Sequence, residues 1–391
     1  MNINNFKLAF FLLFLLNNIS FSQTEITKRS KLITAENELN INLDTIKGRL
    51  EYLNSVTPFE IEQTPILINT IVSYLKKRQK TYKTLFYKSR YYFPIFENSL
   101  QKYNVPLELK YLPIVESTLN PVAKSKVGAT GLWQFMFGTA KDLGLTINSY
   151  VDNRMNIEES SDAAAKYLSQ LYSKFNNWNL AIAAYNYGPR NVKRAINNSG
   201  YTNFWNLRGY LPQETANYVP SFIATLYLFE YAKDHNIFSE STVDKLETER
   251  FEIKEMVSFS HISKTLNFPI DSLLELNPSY IHQIIPSIKK HKYFVTIPVS
   301  YSESFIEKEE HIYSLAKKYY ESLEKPLPQL YELNSRILYR VVNGDYLGKI
   351  AKNHGVLIND LRTWNSLKND NLKIGQKIII YPKRFPKKTI I

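Results

Sequence analysis

The stretch Pro113–Phe135, PIVESTLNPVAKSKVGATGLWQF, contains a single carboxylate among apolar and small residues. That carboxylate, Glu116, follows the apolar run LPIV, which is typical of the buried end of a helix. Acidic side chains rarely lie in such surroundings unless a partner pairs with them or a reaction uses them. The small residues that follow predict a loop that a substrate can approach closely.

A glutamate in apolar surroundings has a raised pKa, because loss of water disfavours its anion. A carboxyl group that keeps its proton near neutral pH can act as a general acid. The alternative is structural: Glu116 pairs with a buried Lys, Arg or Tyr. The spacing of the residues alone leaves both interpretations open.

The composition is that of a folded protein with an anionic partner. The chain has 391 residues, 44% of them hydrophobic and 22% charged, which predicts two or three globular domains. Its 28 Tyr and 22 Phe suit packed cores and also a carbohydrate groove. The net charge of +13 favours nucleic acid, anionic lipid or an acidic polymer as partner, without choosing among them.

The N-terminus has the pattern of a secretory signal peptide, predicted over residues 1–22. An apolar run, FKLAFFLLFLL, is followed by Ser20–Ser22 as a cleavage region. The run is about half the length of a membrane span, although an uncleaved anchor is the alternative. There are no cysteines, so we expect neither disulfides nor a lipoprotein anchor. We expect an exported protein of the periplasm or cell envelope, with possible peripheral membrane or cell-wall association.

Two parts of the chain have different patterns. Residues 23–81 predict a polar helical extension, and residues 82–235 predict an all-α domain with no alternating strand pattern. Within that domain, NLAIAAYNYGP is a short buried helix that ends at Gly188-Pro189. Asp152 and Arg154 are expected to form a structural pair.

The C-terminal part predicts small α/β modules. Residues 337–383 begin and end with β-branched strands that flank two short amphipathic helices, a β-α-α-β unit. A shift of 88 residues reveals a weaker copy at 250–299, in which Asn277 corresponds to Asn365. The charged, proline-ended segment 300–336 is a linker or a bridging helix. The expected fold class is therefore mainly α, with an all-α domain followed by two βααβ units.

Several motifs resemble those of one enzyme family. ESTLNPVAKSKVGATGLWQFM resembles the Glu-Ser and Gly-Leu-Trp-Gln-Phe motifs of lytic murein transglycosylases with the goose-lysozyme-like SLT fold. AAYNYGPRNVKRAI and ETANYVP resemble two later motifs of that family. The C-terminal unit resembles a LysM module, and the order of the motifs is similar to the membrane-bound D type.

The resemblance implies a reaction and a set of residues. Glu116 would protonate the oxygen between N-acetylmuramic acid and N-acetylglucosamine, and then accept a proton as the muramyl C6 hydroxyl attacks C1. A 1,6-anhydromuramyl end results, and no cofactor is implied. Residues that would line the substrate groove are Ser125, Gln134, Tyr185, Asn186 and Tyr218. Tyr218 would contact Glu116.

The LysM-like unit implies a second binding region for peptidoglycan glycan strands. Its glycan-binding positions would be Gly344, Asp345, Tyr346, Leu347, Leu367 and Lys368. The alternative is that Asp345 only caps a helix and that the unit packs against the catalytic domain. One departure from the family lies in the SLT motifs, where Phe137 replaces the usual proline.

Other functions remain as alternatives. A hydrolytic muramidase on the same fold would need a second carboxylate to position water, and a non-catalytic protein would only bind the cell wall. A nucleic-acid binder is supported by charge alone and is not expected. The six histidines show no metal-ligand spacing, so no metal site is predicted. We expect a monomer.

Overall fold

The computed structural model describes residues 41–237, 246–288, 291–333 and 336–384. The predicted signal peptide and the first part of the predicted extension, up to residue 40, lie outside these ranges. Within them, no helix combines the length and apolar character that a membrane crossing requires.

The first described range is helical. Its α-helices are α1 (Leu43–Val56), α2 (Pro65–Lys77), α3 (Gln79–Lys102), α4 (Leu112–Ser117), α5 (Phe137–Asp142), α6 (Ile157–Phe175), α7 (Trp178–Tyr187), α8 (Pro189–Ser199), α9 (Phe204–Leu207) and α10 (Gln213–Glu230). Short 3-10 helices cover Leu107–Tyr111 and Arg208–Tyr210. The expected all-α domain is confirmed.

Side-chain caps and a glycine turn set several helix ends. The side-chain oxygens of Asn42, Asn156 and Asn177 accept backbone N–H groups in the first turns of α1, α6 and α7. Gly188 ends α7 with a φ of +87°, and Pro189 begins α8 at once. A proline fits the first helical position because the N–H that it lacks has no partner there. The predicted stop at Gly188-Pro189 is confirmed.

The core of the helical domain surrounds α10. This helix packs against α2, α4 and α7, while α3 packs against α6. Trp133 and Phe96 are fully buried and meet edge to face, with ring centroids 5.2 Å apart. The indole N–H of Trp133 donates to the Ser161 hydroxyl at 3.0 Å, so the large ring is buried without losing a hydrogen bond.

The described part of the N-terminal extension belongs to the same core. Ile46, Leu50 and Leu53 of α1 are buried in it. The boundary predicted at residue 82 lies inside α3, a continuous helix. There the Tyr82 hydroxyl is hydrogen-bonded to Thr225 of α10 at 3.0 Å. From α1 onwards, the extension therefore supports the domain that carries Glu116.

The second unit is built from short strands and three helices. They are β1 (Thr248–Ile253), β2 (Val257–Ser258), α11 (Phe259–Leu266), α12 (Ile270–Leu276), β3 (Ile284–Ile285), β4 (Tyr293–Pro298) and α13 (Ser302–Glu321). Antiparallel pairs join β1 to β4 and β2 to β3. The helix α13 lies in the segment expected to be a linker or bridging helix. It packs on α11 and buries Phe305, Ile312 and Ala316 in the core of this unit.

The third unit contains the predicted β-α-α-β order, flanked by one additional pair of short strands. Its elements are β5 (Glu332–Leu333), β6 (Ile337–Arg340), α14 (Leu347–Asn353), α15 (Ile358–Asn365), β7 (Lys377–Ile380) and β8 (Lys383–Arg384). The strands β6 and β7 pair antiparallel, with Ile337 opposite Ile380. The additional pair is β5 with β8.

The internal repeat is visible as the same hydrogen bonds in both units. The Asn277 amide donates to the carbonyl of Thr296 and accepts that residue's N–H, at 2.8 and 2.7 Å. The Asn365 amide makes the same two bonds to Ile379, at 2.8 and 2.6 Å. In each unit an asparagine at the C-terminal end of the second helix thus fixes the final strand. The predicted correspondence of Asn277 with Asn365 therefore has a structural basis.

The three units are in direct contact. The Phe137 ring of α5 lies 4.7 Å from that of Tyr381 and 5.6 Å from that of Trp364, measured between centroids. The loop 146–153 is hydrogen-bonded to the second unit through the Asp152 N–H and the Ser279 carbonyl, at 2.9 Å. The packing alternative for the LysM-like unit is therefore observed, and Phe137, where the family usually has proline, takes part in the contact.

We expect Phe137→Ala to release the third unit from the helical domain. Phe137 is buried, and removal of a buried Phe side chain costs about 3 kcal/mol or more. Hydrogen–deuterium exchange should therefore speed up in α15 and β7, while α7 and α10 keep their protection. Tyr346→Ala, at a position that is 64% exposed, is the matched aromatic control. Unchanged exchange in α15 would show that Phe137 does not hold the unit.

Candidate active site

Glu116 lies at the end of a very short helix. The helix α4 stops at Ser117 because Thr118 and Leu119 both adopt left-handed backbone angles, with φ of +55° and +54°. The Ser117 hydroxyl lies 3.0 Å from the carbonyl oxygen of Pro113 and 2.9 Å from that of Leu132, and donates to both. These bonds hold the helix end against the following loop. The Glu116 side chain is thereby fixed at a buried edge while it keeps some exposure to solvent.

Tyr218 of α10 is the hydrogen-bond partner of Glu116. Its hydroxyl donates to the Oε1 atom of the carboxyl group, and its ring is buried. The sequence had left open whether a buried Lys, Arg or Tyr pairs with Glu116. In the described ranges the partner is a tyrosine, and no ion pair reaches this carboxylate. A neutral partner leaves the carboxyl free to gain and lose a proton.

The pKa of Glu116 is raised to about 7. The largest cause is burial, which removes the water that stabilises the anion. The Tyr218 hydrogen bond lowers the pKa, and the negative charge of Glu214 raises it. Both protonation states of Glu116 are therefore accessible near neutral pH, which suits a group that must donate a proton and later accept one.

Tyr185 lies beside Glu116 and is fixed in place. Its hydroxyl donates to the carbonyl of Trp133 at 2.7 Å, and its ring packs against Phe135 and Tyr167. Burial and the neighbouring Glu116 carboxylate raise the pKa of Tyr185 well above its usual value. Burial and the same carboxylate also raise the pKa of Tyr218 well above its usual value. Both phenols therefore stay neutral across the pH range in which Glu116 titrates.

Asn186 connects two helices next to this cluster. Its side-chain oxygen accepts a hydrogen bond from the Thr215 hydroxyl at 2.8 Å, which ties the end of α7 to the start of α10. The side chain is half-buried, so it borders solvent on one side.

Ser125 and Gln134 shape the loop between α4 and α5. The Ser125 hydroxyl oxygen accepts the Ala129 N–H at 3.0 Å. The Gln134 amide nitrogen donates to the carbonyls of Gly131 and Ala123, at 2.8 and 3.2 Å. Any ligand contact by Gln134 would therefore use its side-chain oxygen. Ser125 and Gln134, both predicted to line the groove, therefore stabilise the loop by hydrogen bonds within it.

Arg154 anchors this loop from behind, a role that the sequence analysis missed. Its guanidinium pairs with Asp152 at 2.7 Å, which confirms the predicted structural pair. It also donates to the carbonyls of Gly128 and Phe135, at 3.0 and 3.3 Å. A Cβ atom at Gly131 would lie 1.8 Å from the Arg154 carbonyl oxygen, so only glycine fits there. In the sequence, only the glycines of this loop indicate that the backbone of Gly131 and the backbone of Arg154 lie so close together.

The LysM-like positions divide into exposed and buried groups. Tyr346 and Lys368 are exposed, and Gly344 adopts a φ of +81° that favours glycine. Leu347 is buried, and so is the carboxylate of Asp345.

Asp345 stabilises the turn from inside. It accepts hydrogen bonds from the Tyr339 hydroxyl at 2.7 Å and from the Val342 N–H at 3.0 Å, and these lower its pKa. It is not the cap of α14, since Tyr346 occupies that position. The side chains of Asp345 and Leu347 point into the protein, so a contact of these two positions with glycan would use their backbone atoms. Leu367 is partly buried against the core.

Three family models match parts of the chain. Residues 93–208 match the transglycosylase SLT domain, residues 247–314 match the LysM-like domain of lytic transglycosylase MltD, and residues 339–380 match the LysM domain. The resemblance deduced from the motifs is confirmed. Glu116 and the predicted groove residues from Ser125 to Asn186 lie within the SLT match, and Tyr218 lies ten residues beyond it.

Individual relatives have corresponding names. The chain is 30% identical over 287 residues to membrane-bound lytic murein transglycosylase D of Escherichia coli K12, an alignment that covers 72% of this chain and 61% of that protein. It is 38% identical over 89 residues to the soluble lytic murein transglycosylase of the same strain. That alignment covers 22% of this chain and 14% of that protein. The crystal structure of the 70 kDa soluble lytic transglycosylase SLT70 from Escherichia coli aligns with this chain at 27% identity and a TM-score of 0.32. The alignment covers 39% of this chain and 26% of that one. The chain thus spans about three fifths of the D-type relatives that it matches.

Within the described ranges, no group of three or more His, Asp or Glu side chains is arranged to hold a metal ion.

We expect Glu116→Gln to stabilise the protein relative to the wild type as the pH rises. An unfolded glutamate ionises near pH 4.3, whereas folding holds Glu116 protonated up to about pH 7, so the wild type loses stability across this window. Glutamine cannot ionise and escapes this loss. The difference in unfolding free energy between variant and wild type should be about 3 kcal/mol more favourable at pH 8 than at pH 4. Denaturant unfolding at both pH values measures it, and a difference that does not change with pH would contradict the raised pKa.

Proposed function

We propose that this chain, which carries a transglycosylase SLT domain followed by an MltD-type LysM-like domain and a LysM domain, is a peptidoglycan lytic transglycosylase. The observation that carries the proposal is the state of Glu116: a half-buried carboxyl group with a pKa of about 7 and a tyrosine as its partner. Its position in the matched SLT domain adds support.

In the first step Glu116 acts as an acid. Its proton passes to the oxygen that links N-acetylmuramic acid to N-acetylglucosamine, and the bond from C1 to that oxygen breaks. The leaving sugar departs with a new hydroxyl group, and positive charge develops at C1 of the muramyl ring. Glu116 becomes a carboxylate, whose negative charge favours that developing charge.

In the second step Glu116 acts as a base. The C6 hydroxyl of the same muramyl ring attacks C1, and the carboxylate takes its proton. The ring closes into a 1,6-anhydro sugar, no water is consumed, and Glu116 regains its starting state. An attacking group within the same molecule has an effective concentration of about 10⁵ M or more when it is well oriented. This explains why one carboxylate is enough, where most glycoside hydrolases use two.

The neighbouring side chains have positioning roles in this scheme. Tyr218 holds one carboxyl oxygen, which leaves the other free to face the substrate. Tyr185 and Asn186 are fixed by Trp133 and Thr215 beside the carboxyl group, where they can border a sugar ring. Ser125 and Gln134 complete the wall of the groove through the loop that they hold.

The LysM domain would bind the same glycan strands. The positions proposed for that contact are Gly344, Asp345, Tyr346, Leu347, Leu367 and Lys368, with Asp345 and Leu347 using backbone atoms. The Phe137 contact holds this domain against the SLT domain, so a strand bound at one site stays close to the other. We infer export to the periplasm or cell envelope, because the substrate lies there and residues 1–22 have the pattern of a signal peptide.

A hydrolytic muramidase is the second candidate, and one observation favours it. Glu214 lies close enough to Glu116 to raise its pKa, so a second carboxylate is present near the site. In a hydrolase that carboxylate would position the attacking water. In the transglycosylase it would only adjust the acidity of Glu116.

We expect digestion of purified sacculi to release fragments with 1,6-anhydromuramyl ends, and Glu116→Gln to abolish this release. A single group that serves as acid and base contributes a factor of about 10³ or more in rate. Mass spectrometry of the fragments separates anhydro ends from reducing ends, which differ by one water. Glu108→Gln, eight residues away in the same segment, is the matched control and should stay active. Reducing muramic acid ends would identify the hydrolase, and solubilisation by Glu116→Gln at the normal rate would refute the role of Glu116.

We expect two variants to move the pH profile in opposite directions. Activity requires protonated Glu116, so kcat/KM should fall above about pH 7. Tyr218→Phe removes a hydrogen bond to the carboxylate and should move this fall to higher pH, whereas Glu214→Gln removes a negative charge and should move it to lower pH. The measurement is kcat/KM against pH for the three proteins on soluble glycan strands.

Glu214→Gln also separates the two candidate functions. A transglycosylase should keep most of its maximal rate in this variant, whereas a hydrolase that relies on Glu214 should lose about 10² or more. Profiles that coincide with that of the wild type in both variants would contradict the assignment of the pH dependence to Glu116.

A further inference from the structure

A cationic groove lies in the helical domain, on a surface that the proposed reaction does not use. We name it the α6–α8 groove. It has a volume of about 540 Å³ and is bordered by the end of α6, by α7 and by the outer face of α8. Grooves of about 300–1,000 Å³ are typical of ligand sites in proteins. None of the residues named above as catalytic or glycan-binding lines it.

The groove combines an apolar floor with a positive rim. Phe175, Leu180 and Ile196 form the floor, and the exposed cations Lys174, Arg190 and Lys193 lie around it. No acidic residue is among its lining residues.

The rim cations are not neutralised by the protein. In the ranges that the structure describes, some lysines and arginines of this domain pair with carboxylates, such as Lys110 with Glu97 at 2.6 Å. None of these pairs involves Lys174, Arg190 or Lys193. Three like charges close together repel one another, so an anionic ligand would relieve an unfavourable arrangement.

The groove lies within reach of the proposed active site. Pro189 and Arg190 follow Asn186 by three and four residues, and an extended chain spans at most about 3.6 Å per residue, so the backbone positions of Asn186 and Arg190 lie no more than about 14 Å apart. A peptide of four residues has a similar reach, about 14 Å.

We infer that the α6–α8 groove binds an acidic peptide, namely the carboxylate-bearing stem peptide of the strand that Glu116 cleaves. The carboxylates of the stem would face the rim cations, and its small apolar side chains would lie on the floor. This inference rests on the proposed function, because only murein brings a peptide of that kind to the site. The groove would then be a second determinant of substrate specificity, which recognises the peptide and not the sugar.

The test compares two substrates with two pairs of charge reversals. The groove variant is Arg190→Glu with Lys193→Glu. The control is Arg194→Glu with Lys166→Glu, which makes the same charge change at exposed positions of α8 and α6 that do not line the groove. The substrates are intact sacculi and glycan strands from which an amidase has removed the stem peptides, and the readout is the initial rate of fragment release.

We expect the groove variant to lose about threefold to tenfold in kcat/KM on peptide-bearing murein, since each exposed charge pair contributes about 0.2–1 kcal/mol. On peptide-free strands it should stay within about twofold of the wild type, and the control should match the wild type on both substrates. Equal losses on both substrates, or no loss on either, would overturn the inference.

A direct titration distinguishes failure of the inference from failure of the proposed function. Addition of a free stem tetrapeptide should shift backbone amide signals of residues 174–202 in the wild type and much less in the groove variant. A wild type that cleaves murein but shows no such shifts would overturn the inference and leave the proposed function standing. If vesicles of anionic phospholipid, and not the tetrapeptide, shift these signals, the groove binds lipid and the inference is wrong.

Discussion

The chemistry of this protein depends on one half-buried carboxyl group, that of Glu116. The end of α4 holds Glu116 away from bulk water, and the surrounding structure provides Tyr218 as a neutral partner instead of a cation. A lysine or arginine in that place would have kept the carboxylate ionised and removed its acidity. The fold therefore serves to keep this group dry, reachable from one side and able to change its charge near neutral pH.

Much of this could be predicted from the sequence because the signals are local. A glutamate after an apolar run indicated burial, Gly188-Pro189 indicated a helix end, and the repeat with an offset of 88 residues identified Asn277 and Asn365 as equivalent. The structure gives the reason for that repeat, since both asparagines fix the final strand of their unit through the same two bonds. Helix ends and short strand–helix units can be predicted in this way, because residues close together in the sequence determine their backbone geometry.

The rest depends on contacts between residues far apart in the chain. The sequence alone did not indicate that Phe137 would meet Trp364 and Tyr381, or that Arg154 would hold the loop in front of Glu116. The resemblance to LysM implied a glycan-binding position at Asp345, but the sequence did not indicate that its carboxylate accepts hydrogen bonds from Tyr339 and the turn backbone. A buried acid needs such partners.

The central claim is that Glu116 carries its proton up to neutral pH in the folded protein. A ¹³C NMR titration of the glutamate side-chain carboxyl groups tests it most directly, with the Glu116→Gln protein used to assign the signal. The account predicts a titration midpoint near pH 7 for Glu116. A midpoint at or below pH 5 would show that the group is an ordinary anion at neutral pH, and would contradict the account.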